Sequence, residues 1–394
     1  MAPKDFGRGE PDFSFPSQNT DVPHALTYLG GLGCKGGLYQ YLVAWSYSEY
    51  YTHWGPSHPL PPLMAQLKTG EEAKVKPVNE FMFSYTYLNE KCKGKDSVRL
   101  MYIVKSALGN FDKRNGIRNS WGFESRFSDV EIRTVFLVGM NSPESNTQKQ
   151  LEKEIEEHKD IIQADFIDSY FNNTIKTMMG LHWTYHFCHN VKYFMFVDDD
   201  YYVSTRNMLR FLRDPANYPQ YLEKYIVTAV NEYREDLYAG YVFHDSSPIR
   251  WVFSKWYISL DEYPYSKWPP YVTAGAYVLS RKSLEELYFG SIYTNNFRFD
   301  DIFLGMAAKK AGIKPFHHKE FYFYRKLYDK EGFKTKVPTY IGGPRRNGPG
   351  RDLLARWGVL PLIVIGLCIK GLNPRPPMVG FLKKPRPRSP RLIR

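Results

Sequence analysis

The chain has 394 residues, 43% of them hydrophobic and 16% aromatic, enough for one large or two ordinary domains around a sizeable core. Its formal net charge of +12 belongs to one end: residues 341–394 hold twelve Lys or Arg against a single Asp, which leaves residues 1–340 nearly neutral. A neutral body excludes the basic footprint of a nucleic-acid binder, and no nucleic acid is expected among the partners. The four cysteines, Cys34, Cys92, Cys188 and Cys368, form no Cys-x-x-Cys pair. That spacing argues against structural zinc and leaves three full disulfide pairings open.

Residues 1–90 are irregular, broken by Gly, Pro and charges, and read as a stem-like region. They contain no run of 18 apolar residues, so no signal peptide or spanning helix is legible there. From about residue 91 the pattern becomes regular. Residues 98–104 form a strand, 114–121 a polar helix-like run and 132–138 a second strand. Residues 144–158 make a charged helix with Leu151 and Ile155 on one face, followed by a longer helix over 171–189. The nearly all-apolar residues 191–197 form a third strand, buried on both faces, and a further helix begins at 207–212. This alternation gives an α/β fold with a mostly parallel central sheet flanked by helices and irregular N- and C-terminal extensions. After residue 218 the pattern loosens. Strands at 239–243 and 276–280 flank a loop dense in aromatics, among them Trp251, Trp256, Trp268 and Tyr271, and helices follow at 283–289 and 302–310. Residues 329–394 are rich in Gly, Pro and Arg and read as a disordered basic tail with attraction to anionic surfaces. Its apolar stretch 359–369 contains Pro361 and is too short to span a bilayer. Asn172-Asn173-Thr174 is a glycosylation sequon centred on Asn172.

Two acidic clusters carry chemistry. Asp198-Asp199-Asp200 directly follows the buried strand. Three adjacent carboxylates raise one another's pKa unless a positive charge sits among them, and a hard divalent cation with oxygen ligands is the usual remedy. The ends of parallel strands are also where open α/β sheets bind ligands. The alternative is a solvated loop capping the next helix. Asp300-Asp301 precedes the amphipathic run 302–306. It reads either as a helix cap or as a general base beside the first cluster.

These segments, in this order, resemble glycosyltransferase family 31, the inverting β-1,3-glycosyltransferases. The run from Arg114 through Ile117 and Arg118 to Trp121 is similar to the family's Arg-x-x-Ile-Arg-x-x-Trp segment, and Asp165-Phe166-Ile167-Asp168-Ser169-Tyr170 to its Asp-Phe-x-Asp-x-Tyr. The Asp triplet resembles the family's Asp-x-Asp motif, and Asp300-Asp301 its Glu-Asp pair. The stretches 253–257, 262–264, 268–276 and 298–301 look most like a β-1,3-N-acetylglucosaminyltransferase of the family. The resemblance covers about residues 91–328, the expected catalytic domain, and implies a GT-A-like fold, Mn²⁺ and a nucleotide-sugar donor.

On the family pattern Asp198 and Asp200 hold the metal, while Arg114, Arg118, Asp198 and Asp199 hold the nucleotide. Asp301 is the catalytic base. Trp256, Trp268 and Tyr271 stack on the acceptor sugar, and Gly275 allows close backbone approach. The expected reaction moves N-acetylglucosamine from UDP-N-acetylglucosamine in β-1,3 linkage to an acceptor sugar of a glycolipid or glycoprotein, by a single displacement. The alternatives are a galactosyltransferase of the same family, an inactive lectin-like relative, and a metal-dependent phosphotransferase or nuclease. The last lacks a Gly-rich phosphate loop and a basic body. The resemblance also implies a type II Golgi membrane protein with a lumenal catalytic domain, although the anchor is not visible in the sequence. Beyond about residue 328 the likeness stops and the family's metal-completing His is missing, so the metal site is expected to be one ligand short. His317 and His318 are the nearest histidines.

Overall fold

The long central strands form where the apolar runs 98–104, 132–138 and 191–197 lie. The computed structural model describes residues 60–340, apart from 70, 72–74, 82, 95–96, 223–234 and 326–332. The stem up to residue 59, Cys34, Cys368, the apolar stretch 359–369 and the basic tail lie outside the described residues. In chain order the elements are α1 (Leu60–Lys68), β1 (Tyr85–Tyr87), β2 (Val98–Lys105), α2 (Phe111–Arg118), β3 (Ile132–Met140) and α3 (Asn146–His158). Then come β4 (Ile161–Ile167), α4 (Asn173–Phe187), β5 (Val191–Asp198), β6 (Tyr201–Val203), α5 (Thr205–Phe211) and β7 (Tyr238–Phe243). The last are β8 (Tyr271–Ser280), α6 (Arg281–Ile292), α7 (Asp300–Ala311), β9 (Phe316–His317) and β10 (Pro338–Tyr340).

Eight strands build one sheet in the order β1-β4-β3-β2-β5-β8-β7-β9. The run β4-β3-β2-β5 is parallel throughout. β8 is antiparallel to β5 and β7 antiparallel to β8, while β1 closes the other edge against β4. The expected mostly parallel α/β sheet is therefore present, with an antiparallel extension on the β8 side. Alternation along β2 shows why its run is apolar at nearly every position. Met101 and Ile103 enter a core with residues of α1, α4, α6 and α7, whereas Leu100, Tyr102 and Val104 enter the opposite core with residues of α2, α3 and α5. Ser145 caps α3 by accepting a hydrogen bond from the Gln148 amide, and Ser280 caps α6 in the same way through Ser283.

Several elements differ from expectation. Residues 1–90 are not irregular throughout, since α1 and β1 lie within them and pack on the folded body. β4 was not expected: Gln163 and Asp165 interrupt its apolar pattern, and the parallel ladder with β3 overrides that weak local signal. β8 starts at Tyr271, not residue 276, so the resembling stretch before Ala276 is strand. The folded body also continues past residue 328. β10 pairs antiparallel with β6, Val337 is buried, and Asn207 Nδ2 donates to the carbonyls of Lys334 and Lys336. Of the open disulfide pairings, the one present among the described residues joins Cys92 to Cys188, across 96 positions.

Candidate active site

The parallel register brings the chemistry to one edge of the sheet. Lys105, the last residue of β2, lies opposite Asp198, the last residue of β5. The N-terminus of α7 delivers Asp300 to the same place. Lys105 Nζ sits 3.0 Å from Asp198 Oδ1 and 2.8 Å from Asp300 Oδ2, and donates to the Ala274 carbonyl at 3.0 Å. All three ammonium donors are thus committed. Thr177 Oγ1 adds a hydrogen bond to Asp300 Oδ2 at 3.0 Å. Burial opposes the charge on Lys105, but Asp198 and Asp300 outweigh it and hold its pKa above the usual lysine range.

The three triplet carboxylates have different environments. The Asp198 side chain is 37% exposed; burial pushes it up to about 7, with Asp200 and Asp300 adding to the rise and Lys105 opposing it. Asp199 is saturated: Ser106 Oγ and Asn110 Nδ2 donate to Oδ2 at 2.8 and 2.7 Å, and Lys113 Nζ lies 2.7 Å from Oδ1. The Asp200 carboxylate hydrogen-bonds its own backbone amide but pairs with no other residue's side chain among the described residues, and burial raises its pKa against the pull of Lys113. This all-oxygen donor set fits a hard divalent cation, which needs only one or two carboxylates when substrate phosphates complete its shell. Among the described residues no three His, Cys, Asp or Glu groups gather closely enough to form a full cage.

Asp301 lies on the other side of Asp300. Burial, then the Asp300 charge, pushes its carboxyl up to about 7, and its Oδ1 accepts from the Ile302 amide at 2.9 Å. Its charge reaches the half-buried Tyr271 hydroxyl, whose pKa is raised chiefly by burial and then by Asp301. It also reaches Tyr170, raised by burial and by Asp301, Asp300 and Asp198. Trp256 lies beside the Tyr170 hydroxyl, so this loop tryptophan sits at the rim of the acidic cleft. Lys255 Nζ lies over both rings, 5.2 Å from that of Tyr170 and 4.4 Å from that of Trp256.

Four expected site residues have other work. Arg114 is fully buried, with 0% of its surface exposed. Its donors go to Glu154, Ser106 Oγ and the carbonyls of Ala107 and Leu108. No N–H remains for a phosphate, and the expectation of direct nucleotide contact is corrected. Arg114 instead holds Ser106, which donates to Asp199. Arg118 makes a bidentate pair with Asp160 at 2.7 and 2.8 Å and reaches Glu154 at 2.6 Å, which ties α2 to the start of β4. Trp268 is core, its ring 4.1 Å from Tyr263 and 5.6 Å from Phe297, and so is not an acceptor platform. At Gly275 a Cβ would meet the Tyr201 hydroxyl at 2.3 Å, so the missing side chain makes room for that ring and not for a sugar. His317 Nδ1 accepts from the Val242 amide, and buried His318 contacts the Tyr218 carbonyl and the Phe211 ring. Neither histidine is near the triplet's partners. Asn172 Nδ2 donates to the Ile167 carbonyl, and Thr174 of the sequon is buried and donates to Phe297 O.

The Arg114 correction has a measurable consequence. Arg114→Met should cost roughly 3 kcal/mol of stability, because it leaves Glu154 buried with only Arg118 beside it. Urea denaturation measures this. A direct phosphate ligand would instead show lost nucleotide affinity with unchanged stability.

Sequence reasoning missed Lys105 and Lys113, and it read Asp168, Tyr170 and Lys176 only as motif residues without a site role; Lys176 and Asp168 form a buried pair 2.8 Å apart. A lysine closing the apolar run 98–104 was a visible signal, but its partners lie 93 and 195 positions away, which only the sheet reveals.

The family model described as galactosyltransferase matches residues 112–319. A Drosophila melanogaster protein named "Beta-1,3-galactosyltransferase brn" is 47% identical over 230 residues, covering 58% of this chain and 66% of that protein. "Beta-1,3-galactosyltransferase 1" of Homo sapiens is 34% identical over 273 residues, covering 69% of this chain and 78% of that protein. "Lactosylceramide 1,3-N-acetyl-beta-D-glucosaminyltransferase B" of Danio rerio is 33% identical over 257 residues, covering 63% of each. Among solved structures, the galactosyltransferase LgtC aligns at a TM-score of 0.33 with 11% identity, over 66% of this chain and 92% of that one, a likeness too distant to carry weight.

Proposed function

The chain belongs to the galactosyltransferase family and is a glycosyltransferase, and on that premise we propose that it transfers a hexose from a UDP-sugar to an acceptor sugar in β-1,3 linkage, with inversion. The observation that carries the reading is the division of labour around Lys105. It fixes Asp198 and Asp300 in one charge network and leaves Asp200 without a side-chain hydrogen-bond partner among the described residues on one side and Asp301 with high proton affinity on the other.

Asp200, with the free oxygen of Asp198, would hold a divalent cation, Mn²⁺ by family resemblance. When bound, that cation supplies Lewis-acid stabilisation of the charge developing on the departing diphosphate. Asp199, locked by Ser106, Asn110 and Lys113, sets the position of its two neighbours. Asp301 takes the proton from the acceptor hydroxyl as that oxygen attacks the anomeric carbon, and a proton affinity matched to near-neutral pH suits that task. Tyr170, Trp256 and Tyr271 line the acceptor side, offering two phenols and an indole to a sugar, which has apolar faces and polar edges.

The donor has two readings. The stretches 253–257 and 268–276 favoured N-acetylglucosamine; the names of the relatives at 47% and 34% identity favour galactose. We take galactose as the leading donor and N-acetylglucosamine as the second. Paired assays with UDP-galactose and UDP-N-acetylglucosamine on one β-galactoside or β-mannoside acceptor decide this. A turnover ratio above about tenfold for one donor fits a site that hydrogen-bonds a single sugar hydroxyl. Transfer from neither donor, with folded protein and Mn²⁺ present, would overturn the enzyme reading. The Cys92–Cys188 disulfide supports an oxidising, lumenal setting such as the Golgi. No helix among the described residues is long and apolar enough to cross a membrane.

A further inference from the structure

The long connection between β7 and β8 carries three consecutive large apolar residues into solvent. Trp251 is 64% exposed, Val252 60% and Phe253 82%, the last being the most exposed large hydrophobic residue described. Such a run is anomalous on a soluble surface unless something uses it. The loop is held firmly from beneath. Arg250 donates to the carbonyls of Ile258, Ser259, Tyr263 and Tyr265, and the Ser254 and Tyr257 amides close tight turns onto Trp251 and Ser254. The Trp251 and Phe253 rings pack edge to face, 5.9 Å apart, so the tip presents a fixed apolar wedge.

The wedge adjoins the acceptor side of the cleft. Lys255, two residues beyond Phe253, lies over the rings of Tyr170 and Trp256, and the Tyr170 hydroxyl feels Asp301. Tyr170 is itself half exposed and packs on Phe171, also exposed, and Ile167 nearby is 75% exposed. Residues 250–256 contain two cations and no acid; Arg250 is turned onto the carbonyls beneath the tip and close to Glu262, and Lys255 lies over the Tyr170 and Trp256 rings. Aromatic residues at a tip with lysine behind them match the chemistry of a bilayer interface. There, rings settle at headgroup level and the ammonium reaches anionic phosphate.

We propose that the Trp251-Val252-Phe253 tip inserts into the interfacial layer of a lipid bilayer and holds the mouth of the active site against the membrane surface, where a lipid-borne acceptor would present its sugar. This rests on the transferase reading only for the identity of the adjoining site; the docking itself needs no turnover.

The test uses the full chain and a probe specific to the tip, because other segments could also bind lipid. Tryptophan emission is recorded as phosphatidylcholine vesicles are added, with and without brominated lipid as quencher, for the wild type and Trp251→Phe. The expected result is bromine quenching in the wild type that is largely lost in Trp251→Phe. In parallel, Trp251→Ser/Phe253→Ser should turn over a soluble glycoside of the acceptor sugar like the wild type. It should use the same sugar on a vesicle-anchored lipid at least about tenfold less efficiently, since two buried aromatic contacts are worth more than the 1.4 kcal/mol that a factor of ten represents. Quenching that is absent, or unchanged in Trp251→Phe, overturns the proposal. Trp251 shielded from aqueous quencher before any lipid is added does so too, assigning the tip to another part of this chain, or to a second copy if the shielding rises with protein concentration. Failure of the transferase reading looks different: no turnover of the soluble glycoside, with lipid quenching intact.

Discussion

Asp200→Asn should reduce sugar transfer on the order of 10³-fold while the protein folds normally. The magnitude is that of losing one preorganised electrostatic contact to charge developing in the transition state. Asp200 is singled out because its neighbours are committed: Asp198 gives one oxygen to Lys105, and Asp199 gives both to Ser106, Asn110 and Lys113. Stability should not fall. Burial and the Asp199 charge raise the Asp200 pKa, so its ionised form is disfavoured in the fold, and the amide removes that cost. Steady-state assays over a range of Mn²⁺ concentrations, with melting curves, check both halves. EDTA should mimic the substitution in the wild type and add little in the variant. Full wild-type turnover in EDTA would remove the metal from the account.

Asp301→Asn should lower kcat by at least about 10²-fold with little change in donor KM, the range for loss of a positioned general base. Asparagine keeps the shape and can still accept from the Ile302 amide, so a mere helix cap would tolerate the change. The pH dependence separates the two roles further. With its carboxyl pushed up to about 7, Asp301 is a competent base only above that pH, so wild-type kcat/KM should climb through about 7 and level off. The variant should lack that limb. Stability runs the other way. A carboxyl whose folded pKa exceeds its ordinary 3.8 contributes stability that is present below 3.8 and lost as pH rises through about 7. At pH 8 the variant should therefore melt no lower than the wild type. A variant that keeps its activity but melts early would return Asp301 to the capping role.

What the sequence made legible follows from how local each signal is. The apolar runs of β2, β3 and β5 announce buried parallel strands by themselves, and the Asp triplet marks the end of β5. Asp301 was legible as either cap or base from its place before a helix, and the structure adds Lys105 beside the Asp300-Asp301 pair. The arginines of the α2 segment misled because their residue type suits phosphate equally well. Glu154 and Asp160, which claim them, lie 36 to 42 positions away on α3 and just before β4. Trp268 and Gly275 misled for a related reason. An aromatic or a glycine near a site has the same appearance in sequence whether it faces ligand, Phe297 or Tyr201. β1, β4, β6, β9 and β10 were missed because a strand that takes its stability from pairing carries little pattern of its own.

The central claim is a single displacement at the anomeric carbon, with Asp301 deprotonating an acceptor hydroxyl opposite a departing UDP. The most direct test is the stereochemistry and linkage of the product. The full chain is incubated with an α-linked UDP-hexose, Mn²⁺ and a β-galactoside or β-mannoside acceptor, and the isolated product is analysed by NMR at its new anomeric centre and linkage carbon. The account predicts a β-configured sugar attached at O3, formed by the wild type and suppressed in Asp301→Asn. An α-configured product, or one formed equally well by Asp301→Asn, would contradict it.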